Sequence, residues 1–224
     1  SYNTIKNTDS AIRVGGPSHF AAYGKDNRLL KEFLDWTQKN GCSPDYIDLH
    51  YYDTDMSRLY LDKNGIKIST QLSPRPGTFG EETDKIISLV EQSLPGAPIC
   101  LTEWNSTTSH RDLLSDTCFK STYIVKNILE NYGKLQASGY WLLTDLHEES
   151  LLDNKLFHGG LGLFTINGIK KPAYFAYLFL SKLGNKLLDK GDGYFITQKD
   201  DKIVMLLYNY SHYSDAYSEE VGIN

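Results

Sequence analysis

Residues 97–132 read APICLTEWNSTTSHRDLLSDTCFKSTYIVKNILENY. Within this stretch Ala97 to Trp104 is a short β-type run, and Thr117 to Tyr132 is a helical pattern with Tyr123, Ile124, Ile128 and Leu129 on one face. A short apolar strand followed by a longer helix is a βα unit, the building block of a parallel sheet or barrel.

The same alternation runs outward in both directions. Upstream, Ala11 to Gly16 reads as a strand closed by Gly-Gly-Pro, and Asn27 to Asn40 as a helix with Leu29, Leu30, Phe33, Leu34 and Trp36 at roughly helical spacing, ended by Gly41. Tyr46 to Tyr52 is the next strand, and Gly80 to Ser93 carries Ile86, Ile87, Leu89 and Val90 as a helical face. Downstream, Gly139 to Leu146 is a fourth strand, and Pro172, well placed for a first helical turn, opens an aromatic-rich helix to Leu183. After Gly191 the pattern changes to two short strands, Tyr194 to Gln198 and Lys202 to Tyr210, around the turn-forming Asp200-Asp201.

The fold class is therefore α/β. A (β/α)₈ barrel needs eight strands and typically about 250 residues, so four units make half of one. Residues 1–190 are expected to be a half barrel of this TIM type, and 191–224 a partial β-sandwich segment. A half barrel exposes two unpaired strand edges, which predicts self-association or pairing with a missing N-terminal half.

Composition narrows the function classes. With 40% hydrophobic residues in 224, the chain can bury a sizeable core. A net charge of -5 without a run of Lys and Arg gives no electrostatic footprint for nucleic acid or an anionic membrane, and suits a neutral partner such as a sugar. Three cysteines, Cys42, Cys100 and Cys118, are an odd number without metal-ligand spacing. They read as small buried hydrophobes in a reducing compartment, and with no apolar span or signal-like start the expected location is cytoplasmic. No phosphate loop, dinucleotide fingerprint or metal constellation is present, so no cofactor and no metal are expected.

In βα architectures chemistry sits at the carboxyl ends of strands. Those ends are Gly15-Gly16-Pro17, His50-Tyr51-Tyr52, Glu103-Trp104-Asn105, and Trp141 through Asp145 to Glu148-Glu149. Carboxylates, a histidine and aromatic rings on one rim suit carbohydrate chemistry, because sugar faces stack on rings and hydroxyls need fixed donors and acceptors. Each residue also has a plainer reading: an acid pairing with a neighbour for Glu103, a hydrogen-bonded structural histidine for His50, packing for Tyr51, Tyr52 and Trp141, and a solvated loop pair for Glu148 and Glu149. Lys170 and Lys171 read as a helix-entry loop.

The motifs weigh more than the spacings. In order, Val14-Gly15-Gly16-Pro17, Thr102-Glu103-Trp104-Asn105, Tyr140-Trp141 with Asp145 and Glu148-Glu149, Phe157 to Leu163, Gly168 to Tyr177, and Leu206 to Tyr210 resemble family 39 glycoside hydrolases, the β-xylosidase and α-L-iduronidase family. The resemblance covers nearly the whole chain and places it in the C-terminal part of the catalytic domain, about strands 5–8 of the barrel. It implies a retaining glycosidase with Glu103 as nucleophile, His50 and Tyr52 touching the nucleophile or the sugar, and Trp141, Glu148 and Glu149 lining the glycone subsite. It also implies a general acid in an Asn-Glu-Pro motif, which occurs nowhere in this sequence, so the chain alone is expected to hydrolyse xylosides poorly or not at all. His147, where an aromatic apolar residue is usual, and Thr107-Thr108-Ser109, where a tyrosine is common, depart from the family pattern. The competing expectation is a non-catalytic sugar-sensing domain of a bacterial transcription regulator.

Overall fold

A computed structural model describes residues 2–22, 27–54, 72–73, 75–147 and 155–213, with 19–22 described through their backbone. Four parallel strands form one sheet in the order β1 (Gly15–Ala22), β2 (Tyr46–Tyr52), β3 (Ile99–Asn105) and β4 (Ala137–Tyr140). A short helix α1 (Tyr2–Thr8) precedes them, and α2 (Arg28–Lys39), α3 (Thr78–Ser93) and α4 (Cys118–Glu130) form the crossovers.

Side chains alternate across a strand. Ile47, Leu49 and Tyr51 of β2 and Ile99, Leu101 and Trp104 of β3 point to one face, where Leu30 and Leu34 of α2, Phe79, Ile86 and Val90 of α3, and Tyr123, Ile124 and Leu129 of α4 bury them. Aromatic rings hold its centre: Phe79 lies 5.2 Å from Tyr51 and 5.1 Å from Trp104 between ring centroids. The opposite face carries Asp48, His50, Cys100, Thr102 and Glu103, all partly or wholly exposed. A parallel sheet is ordinarily covered on both faces; among the described residues this one is covered on one.

The chain closes with α5 (Pro172–Leu180), whose Ala173 and Ala176 are buried, and an antiparallel sheet β5 (Lys186–Gly191), β6 (Tyr194–Lys199) and β7 (Lys202–Leu207). Phe195 and Thr197 of β6 face inward, Phe195 against Tyr132 at 5.3 Å. Ile203, Met205 and Leu207 face outward and are exposed.

Several boundaries differ from expectation. The first strand starts at Gly15 rather than ending at Gly16, so Gly-Gly-Pro opens it: Gly15 pairs with Tyr46 at the amino end of the sheet, away from Glu103. Glycine suits this opening position, since a Cβ on Gly15 would overlap the Tyr46 ring. The fourth strand stops at Tyr140, and the small sheet begins at Lys186 with a strand the sequence pattern does not mark. In α2, Leu29 and Trp36 are 54% and 61% exposed, outside the buried stripe of Leu30, Leu34 and Thr37. Cys42, Cys100 and Cys118 are free thiols but not the buried hydrophobes expected, since Cys42 and Cys100 are half-buried and Cys118, at the first turn of α4, is exposed. Among the described residues, no helix is long and apolar enough to cross a membrane, and no group of His, Cys, Asp and Glu has metal-site geometry.

Candidate active site

Strict alternation from the buried Leu101 would send Thr102 to the uncovered face and Glu103 back toward the helices. The register shows why it does not. Leu49 pairs with Leu101, but His50 pairs with Glu103, so β3 carries one extra residue at this point. The same insertion appears from the other side, where Leu101 pairs with Ser138 and Trp104 with Tyr140. Such a bulge re-aims every side chain beyond it. Glu103 turns to the uncovered face and Trp104, fully buried, takes the core position.

There Glu103 meets the two preceding candidates. The Tyr52 hydroxyl donates to its Oε1, and His50 Nδ1 lies 3.6 Å from the same oxygen. The carboxylate is mostly shielded, with 19% of its side chain exposed, and the imidazole retains 33%. Tyr51 and Tyr52, alike in sequence, separate: Tyr51 enters the aromatic core while Tyr52 reaches the acid.

Trp141, half-buried, follows β4 directly. Its N–H donates to the Trp104 carbonyl at 3.1 Å and its carbonyl accepts from the Asn105 side-chain amide. Both bonds tie Trp141 to the strand that bears Glu103. His147, exposed, meets the Trp141 ring edge-on at 5.7 Å. Glu148 and Glu149 lie outside the described residues.

Behind this rim is a layer of buried charge that sequence reading assigned otherwise. Asp145, expected on the rim, is 1% exposed; its Oδ1 accepts from the Gly162 N–H at 2.7 Å and its Oδ2 from the Lys171 ammonium at 2.9 Å. Lys171 is completely buried, not in an open entry loop, and also pairs with Asp116 at 2.6 Å and donates to the Gly160 carbonyl at 2.6 Å. The Gly-Gly-Leu-Gly run is thereby explained: a side chain on Gly160 would run into the Asp145 carboxylate. Lys120, also fully buried, donates to Asn105 Oδ1 at 2.7 Å and to the Ser106 hydroxyl, fixing which way the Asn105 amide faces. Burial pushes the Lys120 ammonium down to about 8, aided by Lys171 and opposed by Asp112 and Asp116. Isolated Lys and Asp positions in a sequence carry no sign of such pairing.

One further carboxylate is buried beside the site. Asp53, just past β2, accepts from the Thr78 hydroxyl, from Tyr123 at 3.1 Å and from Tyr51 at 3.5 Å. Burial raises it to about 6 despite these donors and the Lys126 charge.

A carboxylate oriented by a phenol and flanked by an imidazole, at the carboxyl end of parallel strands, can act as nucleophile or base toward a ligand on the uncovered face. The family model for glycosyl hydrolases family 39 matches residues 1–215, and the matched region is the C-terminal part of that domain. A β-xylosidase of Caldicellulosiruptor saccharolyticus is 33% identical over 83% of this chain and 36% of its own length. The crystal structure of a monomeric β-xylosidase from Caulobacter crescentus superposes with a TM-score of 0.83 at 31% identity, over 96% of this chain and 42% of that one. A helix-turn-helix-type transcriptional regulator of Staphylococcus aureus is 28% identical over 59% of this chain and 18% of its own length. The chain thus spans well under half the length of these relatives. On the family match and the β-xylosidase identity together, this chain belongs to glycosyl hydrolase family 39.

Proposed function

We propose that Glu103 is the nucleophile of a retaining β-xylosidase-type glycosidase. The observation that carries this reading is the disposition of its carboxylate: Tyr52 and His50 both address Oε1, which leaves Oε2 for an anomeric carbon. In the first step Oε2 attacks that carbon, the C–O bond to the aglycone breaks, and its electron pair leaves on the aglycone oxygen. Water then cleaves the glycosyl ester and returns the carboxylate. Trp141 supplies an aromatic wall to the glycone, with Glu148 and Glu149 as acceptors for sugar hydroxyls.

A retaining pair sets its carboxyls roughly 5 to 5.5 Å apart, and no Asn-Glu-Pro occurs in these 224 residues. The acid/base belongs to the other half of a (β/α)₈ barrel that covers the free face and pairs the β1 and β4 edges. The expected boundary after residue 190 would fall inside β5, which pairs with β6, so we end the half barrel before Lys186 and assign the small antiparallel sheet to a sandwich segment. The chain alone is then a poor hydrolase of ordinary xylosides, since a positioned acid contributes about 10² to 10⁴ in rate.

The test is a dinitrophenyl β-xyloside, whose leaving group departs without acid assistance. A burst of one dinitrophenolate per chain, absent in Glu103→Gln, is expected. Xylose binding without a burst would instead favour the alternative reading, a non-catalytic sugar-sensing domain.

A further inference from the structure

Asp48 lies between two strand irregularities, and each of its oxygens is bound to one of them. In β1 the register passes from Pro17 opposite Asp48 to His19 opposite Leu49, so Ser18 is the extra residue, with a positive φ of 53°. In β3 the insertion falls at Thr102 and Glu103. The Ser18 hydroxyl donates to Asp48 Oδ2 at 2.6 Å, and the Thr102 hydroxyl donates to Asp48 Oδ1. On the far side of β3, Gly139 of β4 leaves room for the bulge: a Cβ there would lie 2.7 Å from the Thr102 carbonyl oxygen.

We infer that Asp48 is a positioning residue for the nucleophile, holding Thr102 so that the bulge in β3 stays formed and Glu103 faces the ligand rather than the helices. The inference rests on the reading of Glu103 as nucleophile. The physical reason is the two-residue period of a strand: if the extra residue is lost by a slip, Glu103 moves to the core side and Trp104 leaves it. A regular strand is the competing state, and it has the better ladder of backbone hydrogen bonds, because a bulge leaves one residue unpaired. The carboxylate offsets that loss with charge-assisted bonds to both bulged residues, which a neutral acceptor would provide less strongly. Among the described residues Asp48 is bonded to Ser18 and Thr102 and not to Glu103, so its effect passes through the backbone of residues 102 and 103.

Loss of this anchor is expected to impair the chemical step rather than sugar binding. With the full chain and a 2-deoxy-2-fluoro-xyloside bearing dinitrophenolate, inactivation separates Ki, which reports glycone binding, from ki, which reports attack by Glu103. Thr102→Val, which removes the hydroxyl from an exposed residue and preserves the strand, is expected to lower ki roughly tenfold, the loss of one hydrogen bond to a charged group, with Ki nearly unchanged. Thr102→Ser is expected to restore ki, and Gly139→Ala to lower it from the other side of the bulge. Asp48→Ala should match or exceed Thr102→Val; if it fails to fold, the Thr102 pair decides alone. Wild-type ki in Thr102→Val, or a loss confined to Ki, overturns the inference. Should the wild-type chain take no label, the nucleophile reading has failed, and the backbone amide resonances of Glu103 and Trp104 decide the bulge separately. They should move in Thr102→Val and stay in place in Thr102→Ser; no movement in either overturns the anchoring role of Asp48.

Discussion

His50 Nδ1 stands 3.6 Å from Glu103 Oε1, and it does so because the two residues are register partners on adjacent parallel strands just past the bulge at Thr102. One local insertion thus accounts for both the meeting of the two candidates and the placement of Trp104 in the core. The geometry leads to specific expectations.

Removing the Tyr52 hydroxyl leaves Glu103 without its phenolic donor while keeping the ring. A hydrogen bond to a charged group is worth about 1.5 to 3 kcal/mol, so Tyr52→Phe should slow the burst from a dinitrophenyl xyloside by roughly tenfold to a hundredfold. Stopped-flow release of dinitrophenolate measures it, with wild-type urea stability as the check that the fold is intact.

Lys171 is completely buried between Asp116 and Asp145. Its replacement by Met leaves two shielded carboxylates without the cation they share, a change that typically costs about 3 to 5 kcal/mol when a buried pair is broken. A lower urea midpoint with an unchanged slope is expected; a stability equal to wild type would assign the pair no structural weight.

Asp53 gives stability a pH dependence of defined sign. Its carboxyl is held at about 6 in the folded chain against an ordinary value of 3.8. Between those two values the folded state holds a proton that the unfolded state has released, so stability from this group falls as pH rises from about 4 to about 6. Urea titrations across that range should show a shallower fall, or a steeper rise, in Asp53→Asn than in the wild type.

Lys120 acts in the alkaline range with the opposite slope. Burial holds it at about 8 against an ordinary value of 10.5. Between those values the unfolded chain binds the proton and the folded chain does not, so its contribution rises with pH. Lys120→Met should remove that rise from the urea midpoint between about pH 8 and 10.

The sheet order and the helices that cover it were legible because strand period and helix period alternate plainly: Tyr46–Tyr52 is bounded as expected, and α4 differs by one or two residues at its ends. The convergence of His50, Tyr52 and Glu103 was legible as strand ends and family motifs. The bulge was not, since Thr102 and Ser18 look like ordinary strand residues and an extra residue shows only against a partner's register. Nor was the burial of Asp145 and Lys171, because charge pairing between residues 26 apart in sequence depends on how the loops return. Strand β5, Lys-Leu-Leu-Asp-Lys-Gly, is mostly exposed and lacks the alternation that marks a half-buried strand.

The most direct test of the central claim is intact and peptide mass spectrometry of the chain after incubation with the 2-fluoro-xyloside. One added 2-fluoro-xylosyl group per chain, localised to Glu103 and absent in Glu103→Gln, is the predicted result. A label on another carboxylate, or none where the sugar demonstrably binds, would contradict it.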